Sequence, residues 1–557
     1  MGKKGYSEIM LNDFLLNAGV VGLLHVFQYA DDYCGGCEKG RDYIVDGQSL
    51  LISNDFLLHS DIGELFVGAM VHYLGPATKF ERVLGKKSML DALYADPKPE
   101  DKQWKKSVDE LYAEFSEMLL KNSFKSGYGI LSGCPGITSP TEDMALALKK
   151  EPASLQKKEQ YDNLWNMLHQ QKVREILIFK DLLYSVINMF YSDNKGNGAA
   201  FLSERDIEPA MAYNVKFLDP LRKSLSEEPS KRVMNCIGCG SAADKKLCAS
   251  ITLFVDMADD LGKKKSYYWN CNPDAYLCPL CAFVCSMAPL GFTYLGSDGV
   301  FINNNSDVDT LWGFANALEE SREGEGSAWY KLYNIFTAEK IAQLSYRVSN
   351  IQVVMREKRT ERYSLSTIDR RSVVVLNNCR REFGNIKSRY VKDGEDFINV
   401  YQQAVANVIN RRGQFTLISR LARLALRGDG QQTEYIFSIL LIQITQKGGD
   451  SVENNIKRAY VAKKQGEALR ARLTEGLSEA DKDNKLRGLV YQMLSAVSLG
   501  NRDKFMELVL RTYAGENLPV PDIFFSCFGG DEDFKEIGFA YLLGLKSASY
   551  KKEEDAQ

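Results

Sequence analysis

Apolar and polar positions alternate along this chain with changing periods, and the changes mark its elements. "IMLNDFLLNAGVVGLL", near the start, is apolar on almost every side, the pattern of a buried helix. "VDELYAEFSEMLL" differs: Val108, Leu111, Tyr112, Phe115, Met118 and Leu119 recur at helical spacing and predict one core-facing stripe. "KSGYGILSGCPGITSPTED", residues 125 to 143, is dense in Gly, Ser and Pro and predicts an exposed loop. Helical patterning returns in "YDNLWNMLHQQKVREILIFKDLLYSVINMF" and gives way to the polar "KSLSEEPSKR" before residue 232. The β-branched cluster in "RRSVVVLNN" predicts a strand. Beyond 395, helical segments such as "FTLISRLARLAL", "EYIFSILLIQITQ" and "FMELVLRTY" follow one another, separated by "RGDGQQ", "KGGD" and "GENLPVPD".

These patterns predict an α+β chain: a mixed α/β region over 1–232, a cysteine-bearing insertion over 233–290, a mixed connecting region over 291–394, and an all-helical bundle over 395–557. A length of 557 residues exceeds what one core usually supports, which agrees with several domains. No run of eighteen apolar residues occurs and no signal peptide is evident, so a cytoplasmic protein without a membrane partner is expected. Its twelve Cys are then expected as thiols or metal ligands.

A net charge of −3 conceals segregation. Residues 356 to 392 hold eleven Lys/Arg against four Asp/Glu, and 411 to 472 hold twelve against five. Such local basic excess is the footprint of a nucleic-acid binder.

The most specific signal is a pair of matched motifs. Cys236-Ile-Gly-Cys239-Gly240 and Cys278-Pro-Leu-Cys281 each place two thiols two residues apart, so that one tight turn aims both sulfurs at a single ion. Four thiolates fill a tetrahedral zinc site and leave no open position, so the expected zinc is structural. The four His, at 25, 59, 72 and 169, lie far from both motifs. Cys34-Gly-Gly-Cys37 repeats the spacing without a second pair, and stays open between redox pair, half-site and simple turn.

Candidate nucleic-acid contacts follow from charge and loop chemistry. Lys263, Lys264 and Lys265 lie between the Cys motifs beside Tyr267, Tyr268 and Trp269. Arg420, Arg423 and Arg427 fall on one helical face, opposite Leu417, Leu421 and Leu424, and Lys457, Arg458, Lys463 and Lys464 crowd a second helix. Lys125, Ser126, Tyr128, Ser132, Thr138 and Ser139 populate the Gly-rich stretch, whose backbone would approach a groove closely.

Together, "LNDFLLNAGVVGLL", "CIGCG", "CPLC" and the helical last third resemble the CXXC-CXXC large subunit of type I-B CRISPR Cascade, of the Tneap subtype. The resemblance implies a non-enzymatic subunit with Cys236, Cys239, Cys278 and Cys281 as its zinc ligands. It implies recognition of the protospacer-adjacent motif in duplex DNA by the N-terminal part, and assistance to R-loop formation. It also implies contact of the helical part with the displaced strand. The partners implied are the crRNA-containing Cascade backbone and the helicase-nuclease, with sequence reading left to the guide. Two other classes compete. A zinc-braced nuclease would need clustered carboxylates, for which Asp31-Asp32 and Asp259-Asp260 are the obvious doublets. A zinc-ribbon scaffold outside CRISPR would bind duplex DNA without RNA.

Overall fold

In the computed structural model, which describes residues 5–150, 154–191, 199–204, 206–227, 233–254, 275–296, 298–320, 350–358, 362–426, 433–448 and 452–546, the chain forms two units. The first comprises Met1–Glu320 with Gln352–Leu365, and the second Ser321–Ile351 with Ser366–Gln557.

The first unit is organised around its N-terminal helix. β1 (Tyr6–Met10) stops at Leu11-Asn12, and the Asp13 carboxylate then accepts from the N–H groups of Leu15 and Leu16 at 2.8 and 3.0 Å. That cap starts α1 (Phe14–Tyr29), of which every residue from Leu15 to Phe27 is buried. A helix apolar on all sides needs partners all round. One partner is the helical segment Pro279–Ser286 and Ala288–Gly291. There the backbones nearly touch: a Cβ on Gly19 would stand 2.1 Å from the Val284 carbonyl oxygen, one on Gly22 2.1 Å from that of Met287, and one on Gly291 2.0 Å from that of Ala18.

The buried amide of this helix is tied in with equal care. Buried Asn17 donates to Asn303 Oδ1 at 2.7 Å and to Asn305 Oδ1 at 2.5 Å, and accepts from the Asn12 N–H at 2.8 Å. Asn305 donates back to the Asn12 carbonyl at 2.8 Å. The start of the chain is thus bonded to residues almost three hundred positions later.

The sheets are small. β2 (Tyr43–Asp46) and β3 (Ser49–Ser53) join β1 in the order β1-β3-β2, which leaves β1 at an edge. β4 (Val233–Asn235) pairs with β5 (Ala242–Asp244), and β6 (Ala249–Ser250) with β7 (Tyr276–Leu277), all antiparallel. β8 (Thr293–Leu295), β9 (Asp298–Asn303), β10 (Asn350–Glu357) and β11 (Arg362–Asp369) lie in the order β11-β10-β9-β8.

The expected stripe is present in the helix Lys102–Leu119, where Val108, Tyr112, Phe115, Met118 and Leu119 are buried. The expected loop over 125–143 is mostly not a loop. Asn122–Ser132 is helical and the helix Glu142–Lys150 follows. Ser123, Phe124, Gly127, Ile130 and Leu131 face the core, and this apolar face outweighs the low helical preference of Gly and Ser.

Among its described residues the second unit is mainly helical, with a hairpin of β12 (Tyr390–Asp393) and β13 (Asp396–Asn399). "RRSVVVLNN", expected as a strand, is the helix Arg370–Asn378. Asp369 caps it by accepting from the Ser372 N–H at 2.8 Å, and Val373, Val375 and Leu376 pack inward, so tertiary burial overrides β propensity. The long helix Val452–Leu473 crosses the last helix, Asp531–Lys546, at a second backbone contact. A Cβ on Gly466 would stand 2.2 Å from the Tyr541 carbonyl oxygen, and one on Gly544 2.0 Å from that of Lys463. Among the described residues, no helix is long and apolar enough to cross a membrane.

These crossings predict a contrast. Gly22→Ala and Gly544→Ala should each destabilise by about 3 kcal/mol or more, because the clash is with backbone that cannot rotate away. Gly488→Ala, with open space around its Cβ position inside the helix Glu479–Ser498, should be neutral or stabilising by up to about 1 kcal/mol. Denaturant unfolding of the three variants checks this.

Candidate metal centre and basic face

The two Cys motifs reach one point by different local routes. The first is the tip of the β4–β5 hairpin, where Cys236 N–H donates to the Ser241 carbonyl and Gly240 N–H to that of Cys236, both at 2.9 Å. Gly240 has φ +73°, which a side chain would strain. The second follows β7, where Cys278 caps the helix Pro279–Ser286 and its sulfur lies 3.5 Å from the Cys281 N–H. Pro279 occupies the first helical turn, where its missing N–H costs nothing.

The four ligand sulfurs lie within 4.8 Å of one another. Cys239 Sγ and Cys278 Sγ are 3.7 Å apart, and a tetrahedral ion with metal–sulfur bonds of about 2.3 Å holds its sulfurs about 3.8 Å apart. The Cys278 N–H also points at Cys236 Sγ from 3.2 Å, a donor aimed at a thiolate. Cys236, Cys278 and Cys281 are buried and Cys239 is exposed. Burial protects the site, and the exposed edge gives an ion its way in.

Without an ion, these sulfurs cannot all be charged. S–H donation from Cys236, Cys278 and Cys281 holds Cys239 far below the ordinary thiol range. Cys278 and Cys281 are driven far above it, because hydrogen bonds to Cys236 and Cys239 hold their protons in place. A divalent cation removes that conflict, and the donor set is compatible with zinc. Cys285, one helical turn beyond Cys281, is buried deep in the core and its thiol is pushed up by burial.

Residues 229–293, which contain all four ligands, match the family model Cas_CXXC_CXXC, described as CRISPR-associated protein. That segment is similar to the CXXC-CXXC CRISPR-associated proteins. No curated protein and no solved structure matches the chain. The family's two motifs are therefore the two halves of one sulfur cluster here, and the glycine seam of α1 packs on the helix that carries the second half.

The remaining candidates fare unequally. Cys34 is exposed and Cys37 buried, with the Cys37 thiol pushed up to about 12 by burial and then by Asp42 and Asp31. Among the described residues this pair belongs to no cluster of three or more metal-ligating groups. In the helix Asn122–Ser132, the hydroxyls of Ser126 and Tyr128 are used internally, on the carbonyls of Ser123 and Leu119. Lys125 pairs with Glu142, Ser132 bonds the Gly129 carbonyl, Ser139 bonds the Pro140 carbonyl, and Thr138 is exposed. Lys263, Lys264, Lys265 and Arg427 lie outside the described residues.

In the second unit, Arg420 and Arg423 are exposed on the helix Phe415–Ala425, whose Leu417 and Leu421 are buried as expected. They line a groove of about 500 Å³ with Thr416, Ser419 and Lys535. Asp393 holds Arg420 at 2.6 Å. Sequence reading missed Lys535, hidden in the acidic stretch "GGDEDFKE" and brought here only by folding. Lys457, Arg458 and Lys464 are exposed, and Lys457 pairs with Glu453 one turn back. Lys463 is not a surface cation. It is buried, bonds Glu434 at 2.6 Å and lies 4.9 Å from the Phe437 ring centre, because the last helix crosses directly above it.

Purified protein should hold about one equivalent of metal, and Cys239→Ser should lower both metal content and stability, as read by elemental analysis and unfolding. Acidification should release the ion with uptake of protons, since each ligand binds only as thiolate. Unchanged metal content in Cys239→Ser would exclude the four-sulfur site.

Proposed function

We propose that this protein is the large subunit of a type I-B Cascade surveillance complex, that its cluster holds a structural zinc, and that it works in the cytoplasm without catalysing a reaction. The observation that carries the reading is the coincidence of the CXXC-CXXC family match with a closed set of four sulfurs. A four-thiolate ion offers no open position to a substrate, so its service is to fasten the hairpin tip to the knuckle helix.

In this reading, the first unit recognises the protospacer-adjacent motif in foreign duplex DNA and assists R-loop formation. Lys125, Ser132, Thr138 and Ser139 are its candidate contacts, with Lys263, Lys264 and Lys265. The second unit follows nucleic-acid backbone through Arg420, Arg423 and Arg427, with Lys457, Arg458 and Lys464 on the neighbouring helix. Guide pairing supplies the sequence specificity, and the complex recruits the helicase-nuclease.

Two measurements test this. The protein should co-purify with a crRNA-containing complex and discriminate duplexes poorly by itself. Sequence-specific duplex binding without RNA would favour the scaffold reading, and Mg-dependent DNA cleavage lost in Asp259→Ala would favour the nuclease. Replacing Arg420 and Arg423 with Ala should weaken target binding on every sequence and reduce the salt slope by about two. An unchanged slope would mean that this face touches no phosphate.

A further inference from the structure

A groove of about 730 Å³ in the first unit runs between β1 and the metal-binding hairpin. Its lining includes the apolar Leu11, Leu16 and Leu280, together with the metal-ligand residues Cys239, Cys278 and Cys281. Its walls have an unusual property. The groove touches the consecutive residues Glu8 to Asn12 on one side and Ser241 to Asp244 on the other. A groove lying on one face of a strand meets alternate residues, whereas one running along an edge meets every residue.

Hydrogen bonding shows which main-chain groups face that edge. Leu11 N–H donates to the Gln48 carbonyl and Asn54 N–H to the Gly5 carbonyl. In an antiparallel pair these bonds recur at every second residue, so Gly5, Ser7, Ile9 and Leu11 bond toward β3. The N–H and C=O groups of Glu8 and Met10 therefore point away from β3, on the side where, among the described residues, β1 has no neighbouring strand. The same reasoning holds opposite. Cys236 N–H donates to the Ser241 carbonyl, so Ser241 and Ala243 bond toward β4, and Ala242 turns its main-chain groups outward.

Two strand edges thus flank this lining. The rim is mostly acidic: Glu8, Glu227 and Asp244 stand against Lys223. Met10 is 59% exposed, although it is a large apolar side chain. We propose that this groove binds an extended segment of a partner protein, which adds as a strand to the edge of β1, places alternate apolar side chains against Leu11, Leu16 and Leu280 and sets a Lys or Arg against the acidic rim. Extended backbone is required because Glu8 and Met10 present donors and acceptors at strand spacing, and a helical partner has none to offer in return. This proposal does not depend on the nucleic-acid contacts above.

The test uses the full chain and a labelled octapeptide alternating valine with lysine, threonine and arginine. Saturable binding is expected, weakened at least about tenfold when glutamate replaces the lysine and arginine. Met10→Pro removes a donor that β3 does not use and should weaken binding by about tenfold as well. Glu8→Lys leaves the backbone untouched and should abolish the preference for the basic peptide. Residue-resolved hydrogen exchange on binding should slow at Glu8 and Met10 but not at Ile9 and Leu11, which are already bonded. The idea fails if no saturable binding occurs below about 1 mM, or if both peptides and all variants bind alike. It also fails if the chain dimerises and protects the same amides without peptide, which would make a second copy the occupant.

Discussion

The structure depends first on the approach of two backbones. α1 meets the helical segment after the second Cys motif with no side chain between them, at Gly19, Gly22 and Gly291. Such contact has little tolerance, since packed interiors leave no room even for a methyl group. Everything else in the first unit is referred to this seam. Asn17 departs from the same helix to bond Asn303 and Asn305, and the helix holding Cys278 and Cys281 lies directly on the seam. The position of the sulfur cluster is therefore set from within the core rather than by the surface hairpin.

That arrangement divides the metal site into a core-anchored half and a half on a surface hairpin. Cys278 and Cys281 belong to a helix whose N-terminus favours negative charge and whose other end is locked in the core. Cys236 and Cys239 sit on a short two-stranded hairpin, which alone would be marginal. An ion joins the weaker half to the stronger. It also removes the conflict that otherwise keeps Cys278 and Cys281 protonated.

How much was legible in the sequence follows from what each residue's neighbours are. The cysteine spacing was legible because ligand geometry is local within each pair, and four matched thiols specify their own meeting. Helices with one apolar stripe were legible for the same reason. The Gly-rich stretch misled because Gly and Ser there are chosen for close packing, as Gly127 against Leu177 shows, and composition cannot separate that from a loop. "RRSVVVLNN" misled because its valines answer to burial and not to intrinsic preference. Lys463 looked like a surface charge because nothing in its helix announces the Gly544 backbone that covers it. Asn17, Asn303 and Asn305 were silent, since polar partners so far apart leave no period to detect.

The glycine seam has a consequence for how the chain is made. Its two sides are separated by more than 260 residues, so α1 leaves the ribosome long before its partner exists. At synthesis rates of about 5–20 residues per second, that delay is roughly 13 to 54 seconds. During this time Phe27 of α1 can already meet Tyr43 and Phe56, but the face with Gly19 and Gly22 lacks its partner. That face of α1 therefore stays open until Gly291 emerges and the seam can close.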